Sequence, residues 1–151
     1  MTFVPLFEPK EFWDFAEKIF LCRKNNPHLF FKEALIRTGV SRFYYACFLT
    51  LRMEFQARLE GCPDILEELK KPSAHGLIIK TLKNSGIKEC VELGVKLHIL
   101  RKLRNNADYD LEVILDNEHY RRAKNYARFI LNNLNCIGKI QNLEALIRKF
   151  L

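Results

Sequence analysis

The chain has 151 residues, of which 48% are hydrophobic and 28% are charged. These proportions are typical of a folded globular domain, and they exclude a disordered tail, a collagen-like fibre and a low-complexity linker. Lys and Arg (25) outnumber Asp and Glu (18), which gives a formal net charge of +7. A cationic surface of this kind favours anionic partners such as nucleic acid, nucleotides or acidic lipid, without choosing among them.

Helical periodicity is the main structural signal along the chain. Residues 95–137 contain neither glycine nor proline, and no alternating strand pattern or hairpin signal occurs. The predicted helices lie at about 12–25, 30–59, 74–83, 88 or 91 to 109, and 116–136, with a short helical turn over 64–71. The sequence therefore predicts an all-α fold.

The second predicted helix carries the clearest apolar stripe, at spacings of three and four residues. Its members are Ile36, Val40, Phe43, Tyr44, Cys47, Leu51 and Phe55. Gly39 lies inside this stripe, where it either permits a close helix approach or bends the helix. Ser73 is the expected N-cap of the third helix, and His75 lies in that helix's first turn. Gly138 separates the fifth helix from a last amphipathic segment at 139–151.

The five cysteines form no recognisable disulfide or zinc pattern. Their number is odd, and no Cys-x-x-Cys pair occurs. We therefore expect free thiols in a reducing cytoplasm, no metal site and no cofactor. Four of them occupy helix-like stretches, where free cysteine behaves as a small apolar residue: Cys22, Cys47, Cys90 and Cys136.

No membrane association is expected from the hydropathy of the chain. No stretch approaches the ~18 uncharged apolar residues of a membrane helix. The apolar opening, residues 1–9, is too short for a secretory signal and lacks basic residues before it. Charge is nevertheless uneven, because residues 77–104 hold seven basic and two acidic residues, whereas residues 105–115 hold three acidic residues and no basic one.

The densest polar cluster, residues 101–110, lies where these two segments meet. On a helix, four of its side chains share one face: Arg101, Arg104, Asn105 and Asp108. One interpretation is a solvated face with an Arg104–Asp108 ion pair that contributes about 0.3 kcal/mol. The other is an anion site, in which Arg104 forks onto a phosphate, Asn105 adds a donor and Asp108 orients the guanidinium.

Two segments resemble the motifs of a known family. Residues 41–48, Ser-Arg-Phe-Tyr-Tyr-Ala-Cys-Phe, are similar to the S-R-x-Y-Y-A-x-F run of HEPN domains (higher eukaryotes and prokaryotes nucleotide-binding). Residues 100–109 are similar to the L-x-x-x-R-x-x-A-D-Y signature of the same family. His75 stands at the start of the third predicted helix, where that family often places a histidine. The resemblance covers roughly residues 10–135.

The resemblance implies a HEPN-like, up-and-down bundle of about five helices. The chain 1–151 would form a single domain, with a core at about 10–135 and the C-terminal amphipathic segment 139–151. Members are commonly dimeric, so a homodimer is expected. Many members are metal-independent ribonucleases, often toxins, and others are partners of minimal nucleotidyltransferases.

The ribonuclease motif of the family is incomplete in this sequence. The motif has an arginine, a polar residue and, after a short spacer, a histidine. Arg104 and Asn105 match its first two elements, but Tyr109, Asp110 and Leu111 stand where the histidine would be. A tyrosine, with a pKa of about 10, is a poor general base at neutral pH. In some nucleotidyltransferase pairs a tyrosine beside the motif accepts a nucleotide, and Tyr109 matches that role.

The sequence therefore favours a nucleotide- or RNA-binding module that is the partner or target of a minimal nucleotidyltransferase, as in toxin–antitoxin pairs. The expected binding residues are Arg42, Arg101, Arg104, Asn105, Asp108 and Tyr109. Arg42 is equally well interpreted as a surface cation. The alternatives are a ribonuclease with a composite dimer site, for which Arg104, Tyr109 and His75 are the catalytic candidates, and a purely structural helical partner.

Overall fold

The computed structural model of the protein describes residues 7–26 and 32–151, apart from the side chain of Arg23. All regular structure in these two ranges is helical, so the all-α prediction is confirmed. The α-helices are α1 Lys10–Asn25, α2 Lys32–Arg58, α3 Pro63–Glu68, α4 Ala74–Lys83, α5 Lys88–Tyr109, α6 Asn117–Asn132 and α7 Leu143–Arg148. A 3-10 helix, Leu134–Lys139, joins α6 to α7.

The described residues form seven α-helices where about five were expected, and one helix ends earlier than predicted. Residues 30 and 31, the predicted start of the second helix, lie outside the described residues. The fifth predicted helix was extended too far, because α6 ends at Asn132 and not at residue 136. The side-chain amide of Asn133 donates to the carbonyl of Phe129 at 2.7 Å, and this local bond competes with continuation of the helix.

Ser73 precedes α4 as predicted, but its side chain does not cap the helix. Its φ and ψ of −64° and −19° are already helical, and its hydroxyl accepts no hydrogen bond from the first turn. An N-cap residue normally has an extended backbone, which allows its side-chain oxygen to accept a hydrogen bond from an N–H of the first turn. The predicted capping role of Ser73 is therefore wrong.

Helix α2 lies at the centre of the bundle and packs against α1, α5 and α6, while α4 packs against α5. The predicted apolar stripe is confirmed, because all seven of its members are buried. The core also extends past its predicted boundary near residue 135. Cys136 and Ile137 of the 3-10 helix are buried, as are Leu143 and Ile147 of α7. The C-terminal amphipathic segment thus closes one side of the core.

The cysteines are free thiols in two different environments. Cys47, Cys90 and Cys136 are buried, as predicted for small apolar residues. Cys22 is exposed, so the prediction of an apolar packing role is wrong for that residue. Burial raises the pKa of the Cys90 thiol to about 12, which keeps it protonated at neutral pH.

An aromatic layer fixes the contact of α1 and α6 with α2. The ring of Tyr120 stacks on Phe20 at 4.4 Å and meets Phe43 edge-on at 5.2 Å. Its hydroxyl donates to the carbonyl of Ala16 at 2.9 Å. Trp13 meets the other side of Phe43 at 4.9 Å. The Tyr120 ring is therefore held by two aromatic contacts and one hydrogen bond.

Gly39 permits the close approach of α2 to this layer. A Cβ atom at position 39 would lie 2.8 and 3.0 Å from Cε2 and Cδ2 of Tyr120. These distances are shorter than van der Waals contact, so the glycine is required by the packing of the helices.

We expect Gly39→Ala to lower the free energy of unfolding by about 1–3 kcal/mol, because the new methyl group overpacks a layer that cannot relax. Gly61→Ala is the matched control, since a Cβ there meets nothing within 4 Å. Urea denaturation followed by circular dichroism measures both. Equal stability of the two variants would contradict this account of Gly39.

Candidate functional site

Arg37 on α2 fixes the end of α5 and the segment that follows it. Its guanidinium donates to four backbone carbonyls, those of Asn106 (2.8 Å), Ala107 (3.2 Å), Asp110 (2.9 Å) and Val113. Its Nε donates to Glu33 at 3.0 Å, and the same carboxylate accepts the backbone N–H of Leu115 at 3.3 Å. The hydrogen bond from Arg37 lowers the pKa of Glu33. This contact holds the last turn of α5, which carries the polar cluster, against α2.

Arg104 lies about one turn before the end of α5, in contact with two tyrosine rings. Its Nη2 donates to the hydroxyls of Tyr45 and of Tyr109, the latter at 3.2 Å, and its Nη1 donates to Asn105 at 3.2 Å. Its Nε lies 2.8 Å from Oδ2 of Asp108, but this N–H is not directed at the oxygen and makes no hydrogen bond. The pair is partly buried, with side chains 12% and 24% exposed, so it is not a fully solvated i,i+4 pair.

Arg42 joins the same group of side chains through Ser41. Its Nη2 donates to the hydroxyl of Ser41 at 3.1 Å, and that hydroxyl donates to Oδ2 of Asp108 at 3.2 Å. The Asp108 carboxylate thus links α5 to α2. Arg42 is half-buried and its Nε has no hydrogen-bond acceptor among the described residues. It is therefore part of the site and not a freely solvated surface cation.

Aromatic rings and guanidinium groups form one chain of contacts from Phe7, just before α1, to the end of α5. The stack contains, in order, Phe7, Phe12, Arg42, Tyr45, Arg104 and Tyr109. Successive ring centroids or guanidinium carbons are 5.0, 4.7, 5.0, 4.9 and 5.2 Å apart. Cation–π attraction stabilises such contacts, and more strongly where the cation is desolvated. We call this arrangement the aromatic–arginine stack.

His75 lies beside the stack at the start of α4. Its ring packs on Phe48 at 3.8 Å, and its Nδ1 lies 2.5 Å from the Tyr44 hydroxyl. Burial is the largest cause that lowers the pKa of His75, and together with the positive charges of Arg101, Arg104 and Arg52 it brings this pKa to about 4. The imidazole is therefore neutral at pH 7.

Positive charge at this end of the bundle exceeds negative charge. We define the arginine cluster as Arg42, Arg52, Arg101 and Arg104. Within the described residues, Asp108 is the one carboxylate that lies within 4.0 Å of any of the four guanidiniums. Four cations and one anion leave a local charge of +3 in a partly buried region.

The structure brings together most of the side chains that the sequence singled out. Arg42, Arg104, Asn105, Asp108 and Tyr109 form one contact network. Arg101 lies to one side, with its Nη1 directed to the first turn of α4, where it would be 3.9 Å from a Cβ at Gly76. His75 lies beside this network, where the positive charges of Arg101 and Arg104 contribute to lowering its pKa.

Sequence reasoning missed four residues that build the site: Arg37, Ser41, Tyr45 and Arg52. Ser41 and Tyr45 belong to the 41–48 motif, so their place in that motif was the available signal. Tyr45 is half-buried and bonded to Arg104. Arg37 and Arg52 carried no motif signal.

The chain is similar to an uncharacterized protein of Methanocaldococcus jannaschii, with 33% identity over 117 residues. The alignment covers 72% of this chain and 63% of that relative, so the chain spans less than two thirds of the relative's length. No protein-family model matches the chain, and no solved structure matches it.

The described residues contain neither a metal-ligand cluster nor a membrane-spanning helix. No group of three or more His, Cys, Asp or Glu side chains in them is arranged to hold a metal ion. No helix within the same ranges has the length and apolarity needed to cross a bilayer.

We expect the free energy of unfolding to decrease as the pH falls from about 7 to about 5, partly because of His75. The folded pKa of about 4 lies below the ordinary value of 6.5, so the unfolded chain binds the proton first and gains stability relative to the folded chain. Urea denaturation at both pH values should give a smaller decrease for His75→Gln than for the wild-type protein.

His98→Gln is the comparison variant for this measurement. Burial also lowers the pKa of His98, but this residue is not one of the buried residues of α5. Titration of the imidazole protons by NMR checks the pKa of His75 directly. A midpoint near 6.5 for His75 would contradict the burial and charge effects described above.

Proposed function

We propose that the protein is a HEPN-like helical module that binds the phosphate of a nucleotide or of RNA at the arginine cluster. The observation that carries this proposal is the ratio of four partly buried guanidiniums to one carboxylate. Partly buried cations without counter-ions are unfavourable, and a bound anion would relieve this cost. Guanidinium groups are also the side chains best suited to fork onto phosphate oxygens.

The hydrogen-bond pattern supports the assignment of Arg104 as the main phosphate ligand. Its Nη1 and Nη2 bond only to neutral side chains, namely Asn105, Tyr45 and Tyr109. A phosphate can replace the exposed Tyr109 hydroxyl as the acceptor for Nη2 without disturbing the core. Asp108 would keep the guanidinium in place, while Arg42 and Arg101 add positive charge from either side.

We expect Arg104→Ala to weaken binding of ATP or of a short single-stranded RNA by roughly 1–3 kcal/mol, the range for a charge-assisted hydrogen bond. Arg121→Ala is the matched control, because Arg121 is an exposed arginine on α6 that pairs with Glu118. Isothermal titration calorimetry measures the affinities, and circular dichroism checks the fold. Equal loss in both variants would indicate non-specific attraction, and no binding by the wild-type protein would favour a purely structural role.

A second candidate role concerns Tyr109 as an acceptor of a nucleotidyl group. Its side chain is 70% exposed, and its hydroxyl lies 3.2 Å from Nη2 of Arg104. With a nucleoside triphosphate and a nucleotidyltransferase partner, the tyrosine oxygen would attack the α-phosphorus and pass its proton to a general base of the partner. The bond between the α-phosphorus and the oxygen that bridges to the β-phosphate would break, and pyrophosphate would leave. The adjacent guanidinium would stabilise the charge on the phosphate during this transfer.

We expect Tyr109→Phe to abolish nucleotide transfer onto the protein while nucleotide binding stays within about 0.5 kcal/mol of the wild-type value, because the ring still packs on Arg104. Mass spectrometry after incubation with the partner and ATP measures the adduct. The exposed phenol makes Tyr109 a better acceptor than the buried Tyr44, so labelling that persists in the variant would contradict this role.

The ribonuclease alternative is less well supported by the site. His75 is the available imidazole beside Arg104, and its pKa of about 4 makes it a weak general base at neutral pH. Metal-independent cleavage of RNA by the wild-type protein and by Tyr109→Phe, with loss in His75→Gln, would favour this alternative over the binding role.

The proposal includes a homodimer in a reducing cytoplasm, where the free cysteines would stay reduced. The segment between α5 and α6 exposes two large apolar side chains, Leu111 at 90% and Ile114 at 78%. A two-fold contact through this segment would bury them and bring two Arg104 sites to one cleft.

We expect light scattering at micromolar concentration to give twice the mass of one chain for the wild-type protein. Leu111→Ser should shift the mass towards the monomer, because it removes apolar area from the contact. Val95→Ser is the control, since Val95 is 40% exposed on α5 and lies about four helical turns before the end of α5 that leads into this segment. A monomeric wild-type protein would exclude the homodimer.

A further inference from the structure

A groove on α1 adjoins the arginine cluster and is not explained by phosphate binding. Its volume is about 520 Å³, which falls within the usual range of about 300–1,000 Å³ for small-molecule sites. The residues that line it are Phe7, Glu11, Phe12, Asp14, Phe15, Lys18 and Arg42. Three aromatic rings, two carboxylates and two cations thus surround one open space.

The rings of this groove are available to a flat ligand. Phe15 is 51% exposed and Phe7 is 41% exposed, although large aromatic side chains are usually covered. Phe12 lies between them and the site, with its ring 5.0 Å from that of Phe7 and 4.7 Å from the guanidinium carbon of Arg42. Exposed phenylalanines beside an arginine are the type of surface on which nucleic-acid bases stack.

The carboxylates indicate which part of a ligand would enter the groove. Glu11 and Asp14 are both exposed and acidic, so they disfavour a phosphate on this side. They are, however, good acceptors for the amino group of a base. Phosphate is favoured only at the other end, where Arg42 and Arg104 lie.

Arg42 connects the two ends. Its guanidinium packs on Phe12 at 4.7 Å and on Tyr45 at 5.0 Å, so it contacts both a ring of the groove and the ring that packs on Arg104. The groove is therefore the α1 end of the aromatic–arginine stack. A ligand with an aromatic ring and a phosphate, joined by a short linker such as ribose, has the same order of chemical groups.

We propose that the α1 groove is a nucleobase site, which binds an amino-bearing base of the ligand whose phosphate contacts Arg104. The base stacks on Phe15, the most exposed of the three rings, and its amino group donates to Asp14 or Glu11. This inference rests on the proposed function, because it places the base relative to that phosphate. The same chemistry can come from a free nucleotide or from one nucleotide of a single-stranded RNA.

Calorimetric titrations with AMP, IMP and ribose 5-phosphate test the proposal on the full chain. AMP should bind roughly 5- to 100-fold more tightly than ribose 5-phosphate, the gain that base stacking provides. IMP, which lacks the amino group, should fall between them. Phe15→Leu should remove most of the gain for AMP and leave the affinity for ribose 5-phosphate unchanged, and Asp14→Asn should reduce the preference for AMP over IMP.

Phe129→Leu is the matched control. Phe129 is, like Phe15, a phenylalanine with a cation nearby, since Lys96 Nζ lies 4.5 Å from its ring. It is partly buried and lies on α6, outside the groove. It should leave all three affinities unchanged. A five-nucleotide oligoadenylate provides the RNA arm: dependence on Phe15 for this ligand alone assigns the base to RNA, and dependence for AMP alone assigns it to a free nucleotide.

The outcomes separate this inference from the proposed function. If ribose 5-phosphate binds in an Arg104-dependent way, but neither AMP nor the oligonucleotide binds more tightly through Phe15, the nucleobase site is excluded and the phosphate site stands. If none of these ligands depends on Arg104, the proposed phosphate site itself is excluded. A loss in Phe129→Leu equal to that in Phe15→Leu would also overturn the inference.

Discussion

The arrangement of the candidate site depends on one guanidinium that is not itself part of it. The last carbonyls of an α-helix have no partner within the helix, and a cation at this end is favourable. Arg37 supplies both a hydrogen-bond donor and a positive charge, because its guanidinium donates to carbonyls in the last turn of α5 and in the residues after it. Together with the buried packing of α5 on α2 and the Ser41–Asp108 hydrogen bond, this contact fixes the direction of α5 relative to α2, and with it the distance from Arg104 to Tyr45.

The arginines of this protein fall into two groups that differ in how their donors are used. Arg37 donates to backbone carbonyls and a carboxylate, so its hydrogen-bonding capacity is used by the fold. The buried Nε atoms of Arg42, Arg52 and Arg104 lack an acceptor in the described part of the chain. Buried polar atoms are usually satisfied, so this difference between neighbouring residues of one type separates a structural arginine from those available to an anion.

The sequence was sufficient for the helices and for part of the site, because both depend on local spacing. The period of the apolar residues determines α2, and the spacing of Arg104 and Asp108 places both side chains on one face of α5. The contact of Arg37 with α5 was not predictable, since its acceptors are backbone carbonyls about 70 positions away that any residue provides. The end of α6 depends on one side-chain bond of Asn133, which competes with an otherwise favourable helical pattern. The alternation of rings and guanidiniums across α1, α2 and α5 depends on how these three helices are aligned with one another. This alignment is set by contacts between residues that are far apart in the sequence, so local spacing does not predict it.

Trp13 is the single tryptophan of the chain, and its position gives the protein an intrinsic optical reporter. Its indole packs edge-on against Phe43 at 4.9 Å, within the layer that joins α1 to α2, and the Nζ atom of Lys124 lies 5.9 Å from it. It also directly follows Phe12, one of the rings of the α1 groove. Its fluorescence therefore comes from one defined environment, and a change in its emission wavelength or intensity would report separation of α1 from the bundle without any introduced label.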